Sequence, residues 1–207
     1  MGLSSRRTTA WNPENAHAGT GRTCNFPTGR LELGLNPLSQ NCEVDVLTTV
    51  STCRLHNTTG VELLIKSVNI PESSDSVELY IIDSAGKESL VEAIEKMWGE
   101  PSLVCLVFDL TSERSFGNCS RWMDRVRAHC RGLQVPGVLV GNKCDLSARR
   151  EVQTTIAQEW AQSEGLEYHE TSAKEMENSE VPLLSLARAF HSLYQERRET
   201  IQNLRQA

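Results

Sequence analysis

Three short polar motifs carry the chemistry this chain can do: Asp83-Ser84-Ala85-Gly86, Asn142-Lys143-Cys144-Asp145 and Thr171-Ser172-Ala173-Lys174. Each follows a strand-like run, VELYII, VLVG and LEYH respectively. The carboxyl ends of parallel strands are where open α/β sheets bind ligands. Taken singly, an NKxD tetrapeptide reads as a turn closed by an Asx hydrogen bond. In chain order, each on its own strand end, the three read as one ligand site. Other chemistries lack their residues. No Ser/His/Asp order and no G-x-S-x-G elbow occurs. His17, His56, His129, His169 and His191 show no metal-ligand spacing. No G-x-G-x-x-G follows a strand and opens a helix, which argues against a dinucleotide enzyme.

The elements that must position these motifs are legible from residue 56 onward. Residues 60–70 and 77–82 are strand-like and flank the turn PESSDS, which predicts a β-hairpin. Residues 88–98 carry Leu90, Ile94 and Met97 at helical spacing. Residues 102–109 form a nearly continuous apolar run, as in a strand covered on both faces. Helices follow at 112–130 (Phe116, Trp122, Val126), 152–164 (Ile156, Trp160, Ala161) and 181–203 (Leu183, Leu186, Phe190, Leu193). Strands at 135–141 and 166–169 separate them. Strands alternating with helices of this length predict a mainly parallel α/β sheet flanked by helices. The 183–193 apolar stripe is expected in the core.

Residues 1–55 differ. They are rich in Ser, Thr, Gly, Asn and Pro, and Lys66 is the first lysine of the chain. Up to about Gln40 the segment is expected to be irregular or disordered. Residues 43–50 have the β-branched content of a short strand. The organisation read from sequence is therefore an irregular 1–55 segment followed by a domain over 56–203.

Composition narrows the function classes. The chain has 207 residues and a formal net charge of -6, which argues against a nucleic-acid partner held through phosphates. It is 39% hydrophobic and 23% charged, ordinary for a globular domain. No apolar run approaches the roughly 18 residues that span a bilayer. The seven cysteines form no CxxC pair and no signal peptide is evident, so free thiols in a reducing compartment are expected. Gly2 lacks the Ser or Thr of a myristoylation motif at Arg6, and the last cysteine is Cys144, so no lipid anchor is expected.

Together the three motifs resemble those of the Ras-like small GTPases, the Rab branch in particular. SVELYIIDSAGKE, MWGEPSLVCLVFDLT, SFGNCSRWM, VPGVLVGNK and ETSAKEMEN resemble more narrowly the Rab-like GTPases of intraflagellar transport. The resemblance covers about residues 56–203 and implies the Ras-like P-loop GTPase fold. It implies GTP or GDP with Mg²⁺ as cofactors. It implies residence in cytoplasm and cilium, and complex B subunits as partners, especially a small β-rich subunit. In that family NKxD and SAK read guanine. Asp145 would accept from the ring N–H and the exocyclic amine of guanine, a donor pair adenine lacks. Asn142 would tie neighbouring loops and touch the base. The stems of Lys143 and Lys174 would cover its faces. Ser172 belongs to the same base loop, and the Ala173 N–H would meet the guanine carbonyl. Asp83 would hold Mg²⁺ through a water, and the Gly86 N–H would meet the γ-phosphate. Thr58 falls where the Mg²⁺-ligating Thr of the first switch belongs.

Two departures from the family pattern bear on activity. Lys87 stands where the family has the Gln that orients the attacking water, and a lysine accepts no hydrogen bond from it. No catalytic residue is therefore assigned. The G-x-x-x-x-G-K-[ST] phosphate loop is absent; the nearest stretch, residues 16–23, has Ala16 for the first Gly and Arg22 for the Lys. The first strand, phosphate loop and first helix of the fold are missing or replaced, and residues 43–50 are the one segment with strand character for the central slot. Nine residues would then separate it from the next strand, too few for a helical crossover. An alternative reading is a nucleotide-free scaffold that binds proteins through the same surface.

Overall fold

The computed structural model describes residues 41–50, 61–84, 91–130 and 134–206. The expectations for residues 1–40, for the missing first helix over 51–60, and for Thr58, Gly86 and Lys87 lie outside them.

The apolar run at 102–109 sets the architecture. It forms β4 (Leu103–Asp109), buried on both faces, as its unbroken LVCLVFD demands. Around it stand β1 (Asn41–Val50), β2 (Val61–Asn69), β3 (Ser76–Ser84), β5 (Gly137–Asn142) and β6 (Leu166–Thr171). Among the described residues the order is β2-β3-β1-β4-β5-β6, with β2 antiparallel to β3 and the other pairings parallel. The central slot is thus filled by Asn41–Val50, two residues longer at its start than the strand read from sequence. Val46 aligns with both Ile81 of β3 and Leu103 of β4.

Four helices are described: α1 (Val91–Glu95), α2 (Glu113–His129), α3 (Thr154–Glu164) and α4 (Val181–Gln206). Ser112 caps α2 by accepting from the Ser115 N–H at 3.3 Å. Gly165, at φ 74°, closes α3 in the left-handed region that favours glycine. Gly137 serves packing instead: a Cβ there would stand 2.2 Å from the Val104 carbonyl oxygen.

The sheet's two faces take different helices. Val104, Leu106 and Phe108 pack with Cys119, Trp122, Met123 and Val126 of α2 and with Ala157 and Ala161 of α3. Tyr168 of β6 packs against this cluster. The next residue, His169, points the other way, where it meets Ser185 of α4 at 3.0 Å. On that face α4 buries Leu186, Ala187 and Phe190.

One sequence expectation about packing is corrected. In α3, Ala161 and Ala157 are 0% exposed and Trp160 packs against the core, while Ile156 is 54% exposed. The α4 stripe leaves the core at Leu193, which is 37% exposed, because the helix outruns the sheet; His191 ties it to Asp75 of the hairpin turn at 2.8 Å.

Candidate functional site

The base loops are built outward from the ends of β5 and β6. β5 ends at Asn142, and its Oδ1 accepts two backbone N–H bonds, from Lys143 at 2.8 Å and from Ala173 at 3.1 Å. One side chain therefore closes its own turn and fastens the neighbouring loop. Lys143 takes φ 70°, ψ 39°, a left-handed conformation costly for a residue with a Cβ. A 3-10 turn, Cys144–Arg149, follows, with Leu146 donating to the Lys143 carbonyl at 3.0 Å.

Asp145 and Ser172 form the second link. The Ser172 hydroxyl donates to Asp145 Oδ1 at 2.6 Å and accepts from the Glu175 N–H at 3.1 Å. Ser172 is 0% exposed and exchanges backbone hydrogen bonds with Glu177 at 3.1 and 3.0 Å. The Ser172 hydroxyl thereby sets the orientation of the Asp145 carboxylate. The structure thus brings Asn142, Lys143, Asp145, Ser172 and Ala173 into one network.

Charges at the site are mostly paired. The Lys143 ammonium lies 2.7 Å from Asp109 Oδ2, and that carboxylate is only 8% exposed. The other Asp109 oxygen accepts from the Thr111 N–H at 2.8 Å and its hydroxyl at 2.7 Å. Lys174 extends into solvent and meets Glu175 at 2.6 Å; that hydrogen bond raises its pKa. Burial, and then the Glu177 carboxylate, push the half-exposed Cys144 thiol up.

Below the loops sits a network that the sequence did not announce. Arg150 grips Glu170 with two hydrogen bonds, at 2.9 and 2.6 Å. Thr154 and Tyr168 donate to the same carboxylate, each at 2.8 Å. The Arg150 bonds hold the Glu170 carboxyl at about 2, well below its ordinary range, against the opposing effect of burial. Glu170 immediately precedes the Thr171-Ser172-Ala173-Lys174 loop, so its grip on the start of α3 fixes where that loop departs. Arg150 and Thr154 match no short motif; only their nearness in sequence to Asp145 hinted at them.

Asp83 stands apart from the base loops. It lies half-buried near the end of β3, with β1 and β4 between it and β5. Thr48 of β1 aligns with Asp83 on one side and with Cys105 of β4 on the other. Burial, and then the Asp83 carboxylate, push the Cys105 thiol up to about 12. The neighbouring Ser84 accepts a buried hydrogen bond from the Trp98 indole at 2.8 Å.

The two halves of the implied ligand fare differently against these residues. The base half fits: an acceptor carboxylate oriented by a buried hydroxyl and two loops fastened together suit guanine. The residues that would face the phosphates, Asp83 apart, lie outside the described ones, and their sequence departs from the family pattern. The connection from β1 to β2 is residues 51–60, STCRLHNTTG, which has one glycine and no lysine. The Lys143 ammonium is already held by Asp109. Among the described residues no three His, Cys, Asp or Glu side chains gather as a metal site. Nor is any helix among them long and apolar enough to cross a membrane.

Residues 51–192 match the Ras family. Over 147 residues the chain is 53% identical to the Intraflagellar transport protein 27 homolog of Bos taurus, covering 71% of this chain and 79% of that protein. It is 34% identical over 144 residues to Intraflagellar transport protein 27 of Chlamydomonas reinhardtii, covering 68% and 71%. It is 35% identical over 134 residues to GTP-binding protein YPTM1 of Zea mays, covering 65% and 63%.

Proposed function

The chain belongs to the Ras family, and from that membership we propose that it is a Rab-like, guanine-recognising subunit of intraflagellar transport complex B. The observation that carries the guanine half is the laced pair of base loops, Asn142 to Ala173 and Ser172 to Asp145. The names of the relatives carry the transport half.

In this reading Asp145 accepts from the ring N–H and exocyclic amine of guanine. Ser172 fixes the carboxylate's orientation, and its own burial prevents it from turning away. The Ala173 N–H is shared between Asn142 Oδ1 and the guanine carbonyl. The stem of Lys143, tethered by Asp109, lies along one face of the ring; Lys174 exchanges Glu175 for the other face. Among the family's other ligand residues, Thr58, Asp83 and Gly86 are candidates for the Mg²⁺ and γ-phosphate side. Lys87 offers no acceptor for an attacking water, so GTP hydrolysis is slow or absent.

Partners in this reading are complex B subunits, first among them the small β-rich subunit, in cytoplasm and cilium. Affinity capture of the tagged chain from ciliated cells tests it. Complex B subunits should co-purify; recovery with membranes alone counts against the proposal. The base reading has its own test. Asp145→Asn should weaken guanosine and favour xanthosine, whose ring carbonyl takes an amide donor; unchanged base preference defeats it.

A nucleotide-free scaffold is the second reading, favoured by the missing phosphate loop. It predicts that the β-rich partner binds equally with and without added guanine ligand.

A further inference from the structure

We infer that Thr200, near the end of α4, is a phosphorylation site for an arginine-directed protein kinase, and that the phosphate loosens the helix around it.

Arg197-Arg198-Glu199-Thr200 places two guanidiniums three and two residues before a hydroxyl. In extended backbone they precede the acceptor by about 10 and 7 Å, so a kinase that holds the chain extended can meet each with a carboxylate beside its catalytic centre. The same order occurs at Arg6-Arg7-Thr8-Thr9. Other arginines grip the chain's own carboxylates: Arg125 holds Glu95, Arg127 holds Glu164 and Arg150 holds Glu170. Arg197 and Arg198 hold no carboxylate among the described residues, which leaves both for a partner.

The fold presents this stretch to solvent. α4 outruns the sheet, and over residues 196–205 every side chain is exposed except the half-buried Ile201. A helix end with so little burial opens at small cost, which lets an active site take residues 197–200 as an extended strand. In the helix the Thr200 hydroxyl donates to the Glu196 carbonyl at 2.9 Å. In the transfer Thr200 Oγ1 attacks the γ-phosphorus of ATP. The new O–P bond replaces the one to ADP, which leaves with its electron pair, and the hydroxyl proton passes to a base of the kinase. The product has no hydrogen to donate to Glu196. It places a near-dianion one turn from the Glu196 carboxylate, beside Glu199 and toward the negative end of the helix dipole. Arg197, three residues back, offsets only part of that repulsion.

The test incubates the full chain with ATP and the catalytic subunit of cyclic-AMP-dependent protein kinase, followed by peptide mapping and amide exchange. Phosphate should appear on Thr200. Arg197→Ala should slow its appearance there about tenfold or more, through loss of one charge-assisted contact to the kinase. Arg197 is exposed, so the urea midpoint of that variant should match the parent's. In the phosphorylated chain the amides of residues 200–204 should exchange about threefold faster or more, while those of β4 are unchanged. A chain that takes no phosphate, takes it at Thr9 alone, or is phosphorylated at Thr200 equally fast in Arg197→Ala overturns the site. Phosphorylation at Thr200 with unchanged exchange over 200–204 overturns the loosening.

Discussion

The indole N–H of Trp98 donates to the Ser84 hydroxyl at 2.8 Å, with the two residues only 2% and 1% exposed. A buried indole N–H needs an acceptor, and a buried hydroxyl needs a partner. The Trp98 ring is also packed at 6.1 Å from Trp122 and 5.3 Å from His129. The bond therefore clamps the end of β3, one residue after Asp83, to the core beneath α2.

Breaking that bond from either side leaves one buried group unsatisfied. Ser84→Ala and Trp98→Phe should each cost about 1–3 kcal/mol in urea unfolding. The double variant should cost clearly less than the sum, because the second change strands nothing new. Strict additivity would show that the two groups are not energetically coupled.

Acid should loosen the base loops through Glu170. Its carboxyl sits at about 2 against an ordinary 4.5, chiefly through the Arg150 hydrogen bond. A depressed carboxyl contributes stability that is complete above the unfolded value and is lost as pH falls toward the folded one. The window is therefore pH 4.5 down to 2. Glu170→Gln should cost about 1–2 kcal/mol at pH 7, discounted for the group's partial exposure, and nothing further across that window. The check is the urea midpoint at pH 7, 4 and 3; a variant as acid-sensitive as the parent contradicts this account.

Cys105, Cys119, Cys130 and Cys144 should differ in reactivity. Burial pushes both Cys105 and Cys119 up to about 12, and Cys130 upward as well. Cys144 is the one of the four with solvent access. Iodoacetamide at pH 8 with peptide mapping should label Cys144 first of these four, and more slowly than a free thiol, since its own pKa is raised. Cys105 and Cys119 should label only on unfolding. Early labelling of Cys105 would mean that the β1–β4 seam opens in the native state.

Much of this fold is readable in residue patterns because the pattern and the packing share one cause. LVCLVFD is apolar throughout since β4 is covered on both faces. Residues 43–50 are rich in β-branched side chains, and β1 lies between β3 and β4. The base motifs stand where β5 and β6 end, so strand prediction located Asn142 and Ser172 together. What stayed hidden depends on distance rather than pattern. Ala157 approaches the sheet because it is small, yet smallness gives weak hydropathy. Leu193 looks like core until the length of the sheet is known. The Arg150–Glu170 and Trp98–Ser84 bonds join residues 20 and 14 positions apart, and no local spacing encodes either.

Asn142 should prove to be the stitch between the two base loops. Its Oδ1 accepts from the Lys143 and Ala173 amides at once, at 2.8 and 3.1 Å. Asn142→Ala removes both bonds and frees Lys143 from the left-handed turn that the side chain helps to hold. The Lys143 and Ala173 amides should then exchange together, about tenfold faster or more, while the β4 amides keep their protection. Asn142→Asp keeps the oxygen acceptor and should restore slow exchange at both. A variant in which only the Lys143 amide speeds up would mean that the Ala173 loop is held by the Ser172–Asp145 bond alone.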